Sequence, residues 1–214
     1  MSRNRSGFTL VELMLSMSFI SVMLMAIALC VIQISTIYSR GETVRQLNQA
    51  MRVVATDLEN TTAISHPFDV SAAAINAGRL CMGSFTYVWS TPTRTNTVSG
   101  GSAIRFGRVS DPARSLCNAG SLSTTTISGD VIELMEAGDR TLMVHSFSIT
   151  PVIAESAAEQ RMYSITMLVG TNNTAAIETT ADDVAVCRSP SDASADFTYC
   201  AINEFTITVR AGIR

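Results

Sequence analysis

Residues 8–34, FTLVELMLSMSFISVMLMAIALCVIQI, form an unbroken apolar run. It exceeds the roughly 20 residues that carry a helix across a ~30 Å hydrocarbon core, and so constrains the chain more than any other feature. From Leu13 to Ser39 there is no Asp, Glu, Lys, Arg or His, which leaves Glu12 as the only ionisable group in the run. A carboxylate costs roughly 2.5–3.5 kcal/mol at mid-bilayer and less near the interface, and such groups are generally paired. Arg3 and Arg5 precede the run with no acidic residue before Glu12. The positive-inside tendency therefore places the N-terminus in the cytoplasm and the rest of the chain outside.

Three removable-segment readings compete with a plain anchor. Ala26-Ile27-Ala28 has the small-x-small form of a secretory cleavage site, but Leu29-Cys30-Val31-Ile32 continues the apolar run past it. A lipoprotein cut before Cys30 is disfavoured because Leu29 is not small. A cut after Gly7 would leave the whole hydrophobic helix on the mature protein. The net charge of the uncut chain is −3; loss of Arg3 and Arg5 leaves 13 basic against 18 acidic residues, a net −5. Every basic side chain other than the histidines is Arg, a bias without a physical explanation here. This balance gives no general attraction to nucleic acid.

Cysteines stand at positions 30, 81, 117, 187 and 200. Cys30 lies within the apolar run, where a thiol behaves as a small hydrophobe. The other four belong to the part expected outside the cytoplasm, where an even count reads as two disulfides. Of the three possible pairings, Cys81–Cys117 and Cys187–Cys200 close the shortest loops and are favoured on that ground.

Helical periodicity continues beyond the apolar run. In RGETVRQLNQAMRVVATDLEN (40–60), Val44, Leu47, Met51, Val54 and Leu58 recur at spacings of three and four, while Arg45, Asn48, Arg52 and Glu59 take other faces. Gly41 is the weakest interior point, and His66-Pro67 marks the expected stop. The pattern then changes to short β-branched and aromatic runs between turn signals: SFTYVW (84–89), AIRFGRV (103–109), VIELME (131–136), RTLMVHSFSIT (140–150), RMYSITMLV (161–169) and NEFTITVR (203–210). In the last, Phe205, Ile207 and Val209 alternate with Thr206, Thr208 and Arg210, as a half-buried strand requires. EAGDR (136–140) reads as a hairpin turn, and SAAAINAG (71–78) and DPARSLCNAG (111–120) as short helical connectors ending at Gly. The expectation is an α+β fold, a long N-terminal helix packed on a C-terminal antiparallel sheet.

Gly7-Phe8-Thr9-Leu10-Val11-Glu12, behind a short basic leader and ahead of the apolar helix, resembles the class III signal of the type IV pilin and type II secretion pseudopilin superfamily. The resemblance implies that prepilin peptidase cuts after Gly7, that Phe8 becomes the N-methylated terminus, and that Glu12 recruits and registers the next subunit. It also implies pilin-like architecture: a leader (1–7), a transmembrane and filament-core helix (8–34), an amphipathic helix (35–66) and an extracytoplasmic sheet domain (67–214). The implied partners are other pilin or pseudopilin subunits, prepilin peptidase, the inner-membrane assembly platform, and membrane lipid before assembly. The single-pass subunit would move from the cytoplasmic membrane into the filament. Length and cysteine pattern look most like a minor pilin; a minor pseudopilin of type II secretion and a non-assembling anchored binding domain are the alternatives. The family often carries a proline in the apolar half of the helix, and this chain has none between Phe8 and His66.

The chemistry fits that signal. Gly7 lets the backbone enter a protease cleft in extended form, and Glu12 lies about one turn from a new terminus, placed for a neighbour's amino group rather than its own. Asp182, Asp183, Asp192 and Asp196 crowd near Cys187 and Cys200, yet no EF-hand spacing is present and no metal is expected. His66 and His145 stand without a Ser, Cys or Asp in any readable catalytic pattern. No catalytic residue, cofactor or enzymatic activity is expected.

Overall fold

The structure is a computed structural model that describes residues 9–135, 141–152, 161–173, 175–181, 184–189 and 200–212. Its first element, α1 (Leu10–Ile64), runs for 55 residues, about 80 Å at 1.5 Å per residue. Leu, Ile and Met dominate its first half, and no proline interrupts it. At the far end Ser65 turns extended with ψ 147°. His66, disfavoured from helix by the following Pro67, cannot continue the spiral.

The amphipathic stripe is used as core. Leu47, Met51, Val54 and Leu58 are buried in one core together with Tyr163, Ile165, Met167 and Val169 of the sheet, each burial contributing about 1.5–3 kcal/mol. Val44 departs from the expectation: it is exposed, and the neighbouring Thr43 is buried instead. Thr43 can be buried because its hydroxyl donates to the Ser39 carbonyl at 3.0 Å, leaving only a methyl to pack.

A short helix, α2 (Ala72–Asn76), follows, capped by the Ser71 hydroxyl, which accepts from the Ala74 N–H. It ends at Gly78 with φ +70°, where a Cβ would collide with the Trp89 carbonyl. The strands are β1 (Arg79–Met82), β2 (Phe85–Trp89), β3 (Thr97–Val98), β4 (Phe106–Ser110), β5 (Thr126–Ile127), β6 (Val131–Glu133), β7 (Leu142–Pro151), β8 (Arg161–Thr171), β9 (Ile177–Thr179), β10 (Ala185–Cys187) and β11 (Ile202–Ala211). The chain is thus α+β, with one long N-terminal helix and a C-terminal antiparallel sheet domain.

That domain is built on two main sheets, β1-β2-β4-β6 and β11-β8-β7, with the small pairs β9-β10 and β3-β5, the last parallel. The expected hairpin across 136–140 does not form: β6 pairs with β4 and β7 with β8, so the two flanking strands belong to different sheets. Residues 136–140 themselves lie outside the described residues. Of DPARSLCNAG only Ser115–Cys117 is helical, as one 3₁₀ turn. Trp89, Phe106 and Phe147 join the sheets, with Trp89 and Phe147 ring centroids 4.4 Å apart. Strand β11 alternates as expected, Val209 buried and Phe205 and Ile207 half-buried, with Thr206, Thr208 and Arg210 exposed.

Candidate functional site

The N-terminal end of α1 is organised by two side chains three residues apart. Thr9, with ψ 149°, is the N-cap, and its hydroxyl oxygen accepts from the Glu12 N–H at 3.3 Å. The Glu12 carboxylate reaches back to accept from the Thr9 N–H at 3.1 Å and the Thr9 hydroxyl at 2.9 Å. This reciprocal capping box satisfies donors that every helix start leaves open. Glu12 is therefore occupied by its own chain here, while remaining exposed on the helix surface. Gly7 and Phe8 lie outside the described residues.

From Leu10 to Tyr38 no described residue of the sheet domain covers the apolar side chains: every large apolar residue of this stretch is exposed by half or more. The stretch is long and apolar enough to cross a membrane, which makes it a candidate anchor. Four of its hydroxyls are spent internally, Ser16, Ser18, Ser21 and Thr36 donating to the carbonyls of Leu13, Leu15, Met17 and Ile32. They therefore add little polarity to the surface.

Farther along, a polar clamp holds α1 to the sheet. Asp57 accepts from Arg108 at 2.7 Å and from the Tyr87 hydroxyl at 2.6 Å, while the Arg108 guanidinium lies 4.8 Å from the Phe85 ring centroid. Burial, and then the bond to Asp57, push the Tyr87 hydroxyl well above its ordinary pKa, so it stays a donor. No sequence spacing links positions 57, 87 and 108; only the fold brings them together. Arg79 was likewise hidden in the sequence. Fully buried on β1, it donates to the carbonyls of Leu116, Ser121 and Thr124, while Arg94 donates to Leu122 and Thr124. Asp111 ties the start of the same loop: burial opposes its charge, but the N–H groups of Leu116 and Ser115 and the hydroxyls of Ser115 and Thr86 hold its carboxyl below the usual range.

Cys81 is bonded to Cys117 and Cys187 to Cys200, with Cα separations of 6.4 and 5.9 Å, and Cys30 is free. His66 is exposed. His145 sits at a bulge in β7 with Nε2 3.2 Å from the Thr171 carbonyl, and burial lowers its pKa. No cluster of metal-ligating side chains occurs among the described residues; Asp182, Asp183, Asp192 and Asp196 lie outside them. Comparison with protein-family models, with curated proteins and with solved structures returned no match.

Proposed function

We propose that this chain is a structural, non-enzymatic subunit of a type IV pilin-like filament, most like a minor pilin. Prepilin peptidase would cut it after Gly7 and methylate Phe8, and the assembly platform would draw it from the membrane through its N-terminal helix. The observation that carries the reading is the exposed apolar half of α1 with a single carboxylate at its start. A helix surface of this kind is completed either by lipid or by like helices, and Glu12 is the one group able to make a directed, charged contact there. In the isolated chain its oxygens cap Thr9. In a filament they would turn to the amino terminus of a neighbour.

The capping box supplies the test, because glutamine at the third helical position can also cap. Glu12→Gln preserves the cap and removes the charge; Glu12→Ala removes both. If the charge pairs between subunits, both variants insert and fold but drop out of the sheared filament fraction, since removing one partner of a buried pair costs roughly 3–5 kcal/mol. If Glu12 acts only as a cap, Glu12→Gln is recovered in filaments like wild type. Mass spectrometry of the mature N-terminus should find N-methylated Phe8. A retained residue 1 overturns the filament reading and leaves the anchored binding domain in its place; a cut beyond Ala28 overturns both, since it removes most of the apolar run.

A further inference from the structure

In the head formed by the two sheets, strand β7 ends the order β11-β8-β7, and no strand among the described residues pairs with its outer edge. Two bonds fix its phase. The Val152 N–H donates to the Met162 carbonyl, so Ser148 and Thr150 exchange their backbone bonds with β8; the Thr171 N–H donates to Ala201 on the far side of β8, in keeping with the same alternation. Phe147 and Ile149 therefore turn both N–H and C=O away from β8, and no group among the described residues bonds to them there. Such a row is a template for another extended strand, and proteins commonly blunt it with charge. LMVHSFSITP carries no Asp, Glu, Lys or Arg. Only the bulge between Val144 and Ser146 and the terminal Pro151 interrupt it.

This edge is self-complementary. In an antiparallel ladder, bonds are exchanged between residues that both face the gap. A second copy of β7 set about a two-fold axis at Ser148 places Phe147 opposite the partner's Ile149 and Ile149 opposite the partner's Phe147, which matches every outward donor and acceptor of the two residues. At the alternate positions Ser148 meets its own copy and Ser146 meets the partner's Thr150, all exposed, uncharged and small. The same register lays the partner's Pro151 and Val152 beside residues 144 and 145. There a groove of about 710 Å³ is lined by Met143, Val144, His145 and Phe147 together with Trp89 and Pro92. Val152 is one of the few large apolar side chains of the head left more than half exposed, at 53%. One symmetric pairing thus fills the groove and covers Val152. An unrelated extended peptide would meet the same backbone groups but would account for neither Val152 nor the match of Phe147 with Ile149.

We infer that the outer edge of β7 is an interface between two copies of this chain, joining β11-β8-β7 and its two-fold copy into one six-stranded sheet. This does not rest on the filament reading, since an anchored head that never assembles carries the same edge. Full-length protein in a Cys30→Ser background, which removes the free thiol, is reconstituted in vesicles and oxidised with copper phenanthroline. Cα atoms of a non-hydrogen-bonded pair lie about 4.5 Å apart, within disulfide reach. Ser148→Cys should therefore form covalent dimers about ten-fold faster than Thr206→Cys, which stands in the same cross-strand row on β11. Ser146→Cys mixed with Thr150→Cys should give the heterodimer in preference to either homodimer. Adding Ser146→Lys and Thr150→Lys to Ser148→Cys sets like charges opposite one another and should slow its dimerisation about ten-fold, and mixing with a Ser148→Cys copy bearing Ser146→Glu and Thr150→Glu should restore it. The urea midpoint should stay unchanged throughout, because all these positions are exposed. Equal rates for Ser148→Cys and Thr206→Cys, homodimers of Thr150→Cys in place of the heterodimer, or no effect of the lysines would each overturn the interface. N-methylated Phe8 found alongside any of these results would leave the filament reading standing without it.

Discussion

Leu24 and Leu47 share a helix and a side chain, yet Leu24 is 61% exposed and Leu47 1%. The lower half of α1, from Thr43 to Ser65, is finished by its own chain. Two sheets cover its apolar stripe, the Asp57–Arg108–Tyr87 clamp fixes its rotation, and the Gly212 N–H donates to the Ser65 carbonyl at 3.0 Å to pin its end. The upper half has no such cover. Its difference from the lower half is one of cover rather than conformation: the hydrogen-bonded spiral is continuous from Leu10 to Ile64, and only the burial of its apolar side chains changes along it. A backbone can cross that change because a helix satisfies its own polar groups in any medium.

The contrast is broken most forcefully by truncating the same side chain on each half. Leu58→Ala should destabilise the head by about 2–5 kcal/mol, because Leu58 is wholly buried within the main hydrophobic core. Leu24→Ala should leave the urea midpoint of the detergent-solubilised full chain unchanged, because Leu24 is 61% exposed and belongs to no core cluster among the described residues. A shift from Leu24→Ala comparable to that from Leu58→Ala would mean that the upper helix packs on the head after all.

Disulfide removal sharpens the same boundary from the head side. In the chain-entropy account, opening Cys81–Cys117, with a sequence separation of 36, costs about 4 kcal/mol, and opening Cys187–Cys200, separated by 13, about 3 kcal/mol. Paired Cys→Ser variants should follow that order in thermal unfolding. Cys30→Ser should have no effect, since Cys30 is free and exposed on the uncovered half.

The helix, its stop, the strand positions of 84–89, 161–169 and 203–210 and the spacing of the cysteines were legible because each rests on local or periodic physics. What the sequence concealed depends on pairing at a distance. RLCM (79–82) gave no alternating pattern because its Arg is itself buried, its terminal nitrogens bonded to carbonyls more than thirty residues away. VIELME and RTLMVHSFSIT looked like partners because they adjoin in sequence, but each found a better partner in another strand. Val44 fitted the stripe's spacing, yet the stripe's edge falls one residue away, where a threonine could satisfy its hydroxyl within the helix. At the N-terminus the Thr9–Glu12 spacing carried a capping signature as well as the filament motif, and a shared spacing cannot divide the two roles by itself.

The clamp offers a smaller test. Asp57→Ala should cost about 1.5–3 kcal/mol, the worth of charge-assisted hydrogen bonds, because the pair is about a fifth to a quarter exposed and not fully desolvated. A double-mutant cycle with Arg108→Met should show coupling; additive losses would mean the two side chains contribute by packing alone. Acid should act on Asp111, whose folded pKa is held below the unfolded value of about 3.9. Its contribution is complete above that unfolded value and is lost as the pH falls through the folded one. Wild type should therefore lose stability on acidification through that window more steeply than Asp111→Asn. Equal slopes would remove the carboxylate's bonds to Ser115 and Leu116 from the account.

The smallest expected effect lies at the junction itself. Gly41 sits inside the helix two residues before the first buried residue, Thr43, and a Cβ there would meet nothing within 4 Å. Gly41→Ala therefore adds no clash and removes the entropic cost of a helical glycine, so it should stabilise the helix by about 0.5–1 kcal/mol. Backbone amide exchange should slow around residues 37–45, with the head's urea midpoint unchanged or slightly raised. The same variant also probes motion, since no proline loosens this helix and Gly41 is where its two halves could bend or unwind most cheaply. If assembly requires that freedom, Gly41→Ala will fold better and enter filaments less well. If it enters filaments equally well, the helix crosses from head to apolar half as one rigid rod, and the division between the halves is one of surroundings alone.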